Sequence, residues 1–379
     1  MPVARQATPV RPTRQPHPRE SIPDCHEAAT LNSPLLSVVL PVYNAECWIA
    51  SALSSTVHAA KQLDAEIIVV DDGSTDASVR LIDAQAAKSR DVRIRLVRQP
   101  ANQGIVQALN RGLDTASGRF IARMDADDIC MPERFQGQLA FLERTGVDIC
   151  GSWFVEFGQG LPRISRWPHG EAAVKTSLLF QNTICHPTVV ARREVFEKYR
   201  YRNEYRLAED YDLFARASAE FRLANVPQAL LRYRRHPQQA TQAQRESMER
   251  VTRRIRLEAL RAQGIAASDF ELEMHHAIRA PKSIRRMQEL EGVEAWLLKL
   301  IDLHENPESR RTIALQWLRA CIRAAPLGMR MLRAYRASPL RKLAETSAGT
   351  TFDVAVLAAT RLDYASPAFA ALRRFGISA

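Results

Sequence analysis

The chain has 379 residues, enough for one large domain with an attachment or for two ordinary domains. Hydrophobic residues at 46% and charged residues at 25% give a globular profile and exclude a disordered chain. The formal charge of +11, from 53 Lys and Arg against 42 Asp and Glu, suits phosphate-rich ligands, nucleic acid or an anionic membrane face without choosing among them.

The first thirty-odd residues are rich in Pro, Arg and His and hold no apolar run. They read as a disordered segment over 1–34 and not as a secretory signal. Order is expected to begin near Leu35. Leu36 to Tyr43 is a mostly apolar run without polar alternation, as for a buried parallel strand, and Asn44 is placed to cap a helix running to about Ala60. Glu66 to Asp71 repeats the strand, followed by the turn Asp72-Gly-Ser-Thr-Asp76 and a helix. Val92 to Val97 and Arg119 to Met124 are further strands, with a helix from Gln103 to Ala116 between them. Such alternation predicts an α/β fold, a mostly parallel sheet flanked by helices, with ligands at the carboxyl ends of the strands.

Beyond Asp148 the rhythm loosens. A strand from Ile149 to Phe157, another from Thr188 to Ala191, a helix carrying Glu209-Asp-Tyr-Asp212 and a strand pair from Phe221 to Arg235 are expected. From about Gln238 the chain reads as helical, basic and strand-poor. Three regions follow: residues 1–34, an α/β domain over 35–237, and a helical extension over 238–379. No run approaches the roughly 18 to 20 apolar residues of a membrane span. The six cysteines (Cys25, Cys47, Cys130, Cys150, Cys185 and Cys321) form no C-x-x-C pair, so a reducing, cytoplasmic setting is the expectation.

The polar clusters fall where strands end. Asp125-Ala-Asp127-Asp128 can turn two carboxylates toward one hard cation such as Mg2+ or Mn2+, or can be an acidic turn before the helix at Pro132. Asp71-Asp72-Gly73 can bind a base or ribose, or form a plain turn. Tyr43, beside Pro41, can stack on a base or cover the sheet edge. Asn102-Gln-Gly104 opens a helix whose free N–H groups could hold phosphate. Glu209 and Asp210 can raise one another's pKa and supply a general base, or can simply sit at a helix N-terminus. His236 closes a strand beside Arg234 and Arg235, where phosphate oxygens could be met. Neither G-x-G-x-x-G after the first strand nor a P-loop is present.

In order, these motifs resemble the inverting family-2 glycosyltransferases of the GT-A fold. The matching text is Ser37-Val-Val-Leu-Pro-Val-Tyr-Asn44, Ile67 to Asp76, Asn102-Gln-Gly104, Asp125 to Asp128, His186-Pro-Thr188, Glu209 to Leu213 and Tyr233 to His236. The resemblance spans about Leu36 to His236 and leaves the extension uncovered. It implies a nucleotide-sugar donor, usually a uridine one, and a saccharide or glycolipid acceptor, with no nucleic acid. Pro41, Tyr43 and Asp72 would hold the base, with Asn102 and Gly104 at the same pocket. Asp125 would lie near ribose and diphosphate, and Asp127 would ligate the metal with His236. Asp210 would be the catalytic base and Glu209 would position a sugar. Relatives often carry an arginine where this chain has Leu109, and Arg111 or Arg123 is then the substitute. A nucleotidyltransferase or a binding module without catalysis are the alternatives. Arginine mixed with apolar residues from Leu327 to Tyr335 suggests peripheral contact with the inner face of a membrane, or ordinary packing with solvated arginines.

Overall fold

The computed structural model describes residues 33–236, 245–280, 282–364 and 366–369. The segment expected to be disordered lies outside them apart from its last two residues, and so does Cys25. The sheet is built on β1 (Leu36–Val42) and β2 (Ala65–Asp71), every residue of which is buried. Both faces of these strands are covered, which is why their sequence lacks alternation. Each wholly buried Val, Leu or Ile there contributes about 1.5–3 kcal/mol. β3 (Arg93–Arg98) and β4 (Phe120–Arg123) extend the parallel order on either side, giving β3-β2-β1-β4. Helices α1 (Ile49–Ala60), α2 (Ser78–Lys88) and α3 (Ile105–Thr115) make the crossovers.

The remaining strands are β5 (Ile129–Cys130), β6 (Ile149–Phe157), β7 (Arg163–Ser165), β8 (Val190–Arg192) and β9 (Leu223–Arg234). The sheet continues β4-β8-β6-β9-β5, and β8 is antiparallel to both of its neighbours. Helices α4 (Arg134–Thr145), α5 (Glu171–Ser177), α6 (Arg193–Lys198) and α7 (Glu209–Ala217) complete this part.

Two sequence expectations are corrected. Phe221 to Arg235 is not a strand pair: one strand, β9, runs parallel to β6, with Val226 opposite Ser152 and Ala229 opposite Trp153. Pro227 and Gln228 are left out of register as an exposed bulge, because proline has no N–H for the ladder. Asn44 does not cap α1. It adopts φ 48°, and its side-chain oxygen accepts the Thr75 N–H at 2.9 Å. It pins the β2–α2 turn against the end of β1.

Past the α/β part come α8 (Arg245–Ala262), α9 (Asp269–Ala277), α10 (Met287–Asp302), α11 (Pro307–Arg323), α12 (Met329–Ala337), α13 (Pro339–Leu343) and α14 (Ala348–Thr360). Pro34–Ala379 forms one compact unit. Trp296, Trp317 and Tyr335 share a core with Leu179 and Phe180, which follow α5. Trp296 Nε1–H donates to His275 Nδ1 at 3.0 Å, so His275 Nε2 carries its proton to the Leu179 carbonyl at 2.9 Å. Burial holds that imidazole neutral, with its pKa down to about 3. In α12, Met331, Leu332 and Tyr335 turn into the core while Arg330, Arg333 and Arg336 are exposed. Among the described residues no helix is long and apolar enough to cross a membrane.

Candidate active site

The carboxyl ends of β1, β2 and β4 open into a cleft of about 730 Å3. Most of the site residues named from the sequence line it: Pro41, Tyr43, Asp72, Asn102, Gly104, Arg123, Asp125, Asp127, Glu209, Asp210 and His236. Register explains the convergence. Val42 pairs with Asp71 and Val39 with Arg123, so the chain leaves each strand at the same rim.

On the β2 side, Asp72 accepts from Gln99 Nε2 and the Gln103 N–H at 2.8 Å and from the Gly104 N–H at 2.9 Å. Three of its roughly four acceptor positions are therefore spent on the loop that opens α3. Asp72 shapes this wall of the cleft as much as it offers an oxygen to a ligand. Gly73, at φ 75°, lets this turn lie against the backbone of Ala101, where a Cβ would come within 2.7 Å. Tyr43, 49% exposed, stands over the mouth of the cleft.

On the β4 side, Arg123 forms an ion pair with Asp125. Burial opposes the guanidinium charge, but Asp125, with Tyr201 and Asp128 behind it, holds the arginine's pKa above its ordinary value. Nε and Nη1 of Arg123 are buried without a hydrogen-bond partner among the described residues. Burial raises Asp125 to about 6 against the pull of Arg123, with Asp127 adding repulsion. Asp128 is wholly buried and accepts the Arg234 N–H at 2.7 Å, leaving its other oxygen unpartnered. Burial, then Asp125 and Asp127, push its carboxyl well above the carboxylate range. Asp125, Asp127 and Asp128 each offer an oxygen within 4.8 Å of the others. Three carboxylates crowded in this way, one of them with an unpartnered oxygen, fit a hard divalent cation.

The acidic loop is held by the end of β9. β5 pairs antiparallel to β9, with Ile129 opposite Arg232. Arg234 Nε donates to the Asp127 carbonyl at 2.7 Å, and its guanidinium lies 4.3 Å from the Trp48 ring. His236 Nε2 then sits 2.9 Å from Asp127 Oδ2, its ring 5.9 Å from that of Trp48.

The opposite wall is the start of α7. Leu207 just before it has φ 85°, a left-handed conformation costing a non-glycine residue about 1–3 kcal/mol. The bend brings the Leu207 N–H to Glu209 at 2.9 Å. Asp210 accepts from the Tyr211 N–H and from Asn182 Nδ2, both at 2.7 Å. Burial first and the Glu209 charge second raise Asp210 to about 7. Burial likewise raises Glu209, opposed by backbone hydrogen bonds and Arg123. Asp212, two residues on, turns away to Arg202 and Arg216 and takes no part in the cleft.

Several lining residues were not singled out from the sequence, among them Trp167, Asn182, Arg206 and Met248. They come from irregular segments and the extension, where no motif or periodicity marks them. His186 reaches the cleft as a neutral group, bonded to Tyr201 OH at 2.8 Å and held low by burial and by Arg123. Of the two substitute arginines, Arg123 lines the cleft, whereas Arg111 is exposed elsewhere on α3. Leu109 is core.

Comparison with known proteins agrees with this arrangement. The model of the family "Glycosyl transferase family 2" matches residues 37–200. A glycosyltransferase of Haemophilus influenzae is 32% identical over 60% of this chain and 73% of its own length. The amylovoran biosynthesis glycosyltransferase AmsE of Erwinia amylovora is 30% identical over 53% of this chain and 76% of its own. Residues 1–349 of S. aureus TarS, in complex with UDP-GlcNAc, superpose with a TM-score of 0.50 at 19% identity, covering 85% of this chain and 90% of that one. That last likeness is one of fold, and it extends over more than residues 35–237. With a GT-A-type sheet, the strand-end motifs on one cleft and these relatives, the chain belongs to glycosyltransferase family 2 and is a glycosyltransferase.

Proposed function

We propose that the protein moves a sugar from a nucleoside-diphosphate donor, of the UDP-sugar class, to a hydroxyl of a saccharide or glycolipid acceptor, with inversion at the anomeric carbon. The observation that carries this reading is the single cleft with the Asp125–Asp127 rim on one wall and Asp210, raised to about 7, on the other. Pro41, Tyr43 and Asp72 would face the base, with Asn102 and Gly104 beside them, and Arg123 and Asp125 would lie against ribose and diphosphate. Asp127 and His236 would hold Mg2+ or Mn2+, whose chemistry is neutralisation of the departing diphosphate. Asp210 takes the proton from the acceptor hydroxyl as that oxygen attacks, and Asn182 fixes its carboxylate from the side. Glu209 keeps charge beside it and orients a sugar. One displacement with one base needs no protein nucleophile. The S. aureus fold neighbour carries UDP-GlcNAc, which accords with the donor class. Peripheral contact of the extension with a membrane is part of the same proposal where the acceptor is a glycolipid.

The test is nucleotide release from a panel of sugar nucleotides with Mn2+ or Mg2+, using wild type, Asp127→Ala and Asp210→Asn. Slow, metal-dependent hydrolysis of one donor, lost in Asp127→Ala, is expected. No turnover and no metal-dependent binding of any donor would sink the catalytic assignment and favour a binding module.

A further inference from the structure

A second cavity, of about 430 Å3, opens behind the catalytic wall and shares Asn182, Leu207, Asp210 and Met248 with the cleft. Its far side belongs to the helical extension: Arg256 of α8, Arg279 just past α9, Arg323 of α11, and Tyr364. The two flanking arginines are fixed by neutral groups as well as by charge. Arg256 donates to the Phe180 carbonyl at 2.9 Å and pairs with Glu249 at 3.1 Å. Arg323 donates to the Ala280 carbonyl at 2.9 Å and to Tyr364 OH at 3.2 Å. Between them, the Arg279 guanidinium has neither a hydrogen bond nor an ion pair among the described residues. Arg319 adds a fourth positive charge nearby, its side chain bonded to Gln316 and to no carboxylate among the described residues. Burial first, then repulsion by Arg319, Arg323 and Arg256, lowers Arg279 to about 9.

Holding the Arg279 guanidinium beside like charges, with no acid of its own among the described residues, costs stability, and removing that uncompensated charge relieves the cost. A bound anion offsets that cost. Guanidinium forks match the oxygens of a phosphoryl group, and several arginines suit a dianion better than a single carboxylate. We propose that this cavity is the acceptor subsite and that it seats a phosphoryl group of the acceptor on Arg279, flanked by Arg256 and Arg323. The proposal rests on reading Asp210 as the base. Because Asp210 lines the same cavity, the phosphoryl group belongs to the molecule whose hydroxyl meets Asp210. A soluble sugar phosphate and a lipid-phosphate-linked sugar share this chemistry.

The experiment measures binding of inorganic phosphate to the full chain, with the donor cleft blocked by saturating UDP and metal ion. Wild type should bind phosphate, and Arg279→Gln should weaken that binding at least tenfold, with Arg279→Lys in between. The Tm of Arg279→Gln without phosphate should rise, since a repelled charge is removed, whereas loss of a merely structural arginine would lower it. Farnesyl phosphate is the second arm. Binding more than tenfold tighter than phosphate supports the proposal with a lipid carrier, and equal binding supports it with a soluble one. Absent phosphate binding in wild type, or equal binding by wild type and Arg279→Gln, overturns it. Donor hydrolysis by the same wild-type protein is scored separately. Hydrolysis without phosphate binding breaks the subsite alone, and phosphate binding without hydrolysis breaks the reading of the cleft alone.

Discussion

The two sides of Asp210 are charged in opposite senses. Toward the strand ends it looks on a cleft crowded with acids, where Asp125, Asp128 and Glu209 are all raised even though Arg123, Arg206 and Arg235 line the same cleft. Toward the helical extension it looks on arginines crowded together, one of them lowered to about 9. In both places burial is the first cause of the shift, and like charge adds to it for Asp125, Asp128 and Arg279. A surface that only had to be soluble would mix its signs. An acid-rich cleft beside an arginine-rich cavity suits two ligands of different charge demand, a cation with its diphosphate on one side and an anionic acceptor on the other. Asp210 stands where they meet.

The largest effect should come from the shared wall. Asp210→Asn keeps the shape and removes the base, so transfer is expected to fall by about 10^2–10^4. The wild-type kcat/KM should climb as pH rises through about 7 and then level off, because only the ionised carboxylate accepts the proton. A pH profile of the same shape in Asp210→Asn would break the contrast at its centre. Stability carries the opposite sign. Asp210 has a folded pKa of about 7, above the ordinary aspartate value of 3.8, so wild type loses stability as pH rises from about 4 through about 7. The Tm of Asp210→Asn relative to wild type should therefore grow over that window, which thermal melts at matched pH values can read.

The next effect compares charges that are paired with charges that are not. Asp212 is buried and held between Arg202 and Arg216, on the same helix as Asp210 but facing away. Asp212→Asn should lower stability by roughly 2–3 kcal/mol, less than for a fully dry pair because both arginines reach solvent. Arg279→Gln should move Tm in the other direction. If both substitutions destabilised alike in urea melts, the arginine cavity would be ordinary structure and the comparison would lose its second half.

Much of the cleft was legible because its chemistry lies at strand ends, where buried apolar runs give way to acids at Asp71-Asp72 and at Asp125. Those boundaries are visible in the letters, and the parallel register then carries them to one rim. The arginine cavity was not legible. Arg256, Arg279 and Arg323 lie on or beside three different helices, and nothing in their spacing shows that packing around Trp296 and Trp317 brings them behind Asp210. Asn44 misled for a different reason. The same short polar side chain can cap a helix or pin a turn, and the competing partner, Thr75, lies 31 positions away. Phe221 to Arg235 reads as two strands, and a bulge at Pro227 and Gln228 fits the same residues into one.

The smallest effect sharpens what the Asp72 side of the cleft is made of. Gly73 has φ 75°, and a Cβ there would meet the Ala101 carbonyl carbon at 2.7 Å and the Asn102 nitrogen at 2.8 Å. Both are backbone atoms, so no side chain can swing aside. Gly73→Ala should cost about 1–3 kcal/mol through that strain and contact, and the loop from Ala101 to Gly104 must shift to admit the methyl group. That loop is what Asp72 grips through the N–H groups of Gln103 and Gly104. If the loop forms the base-side wall, the variant should weaken nucleotide binding while phosphate binding at Arg279 stays as in wild type. Measured side by side, unequal losses would confirm that the two cavities are separate sites. Equal losses would mean that one unfolding equilibrium governs both.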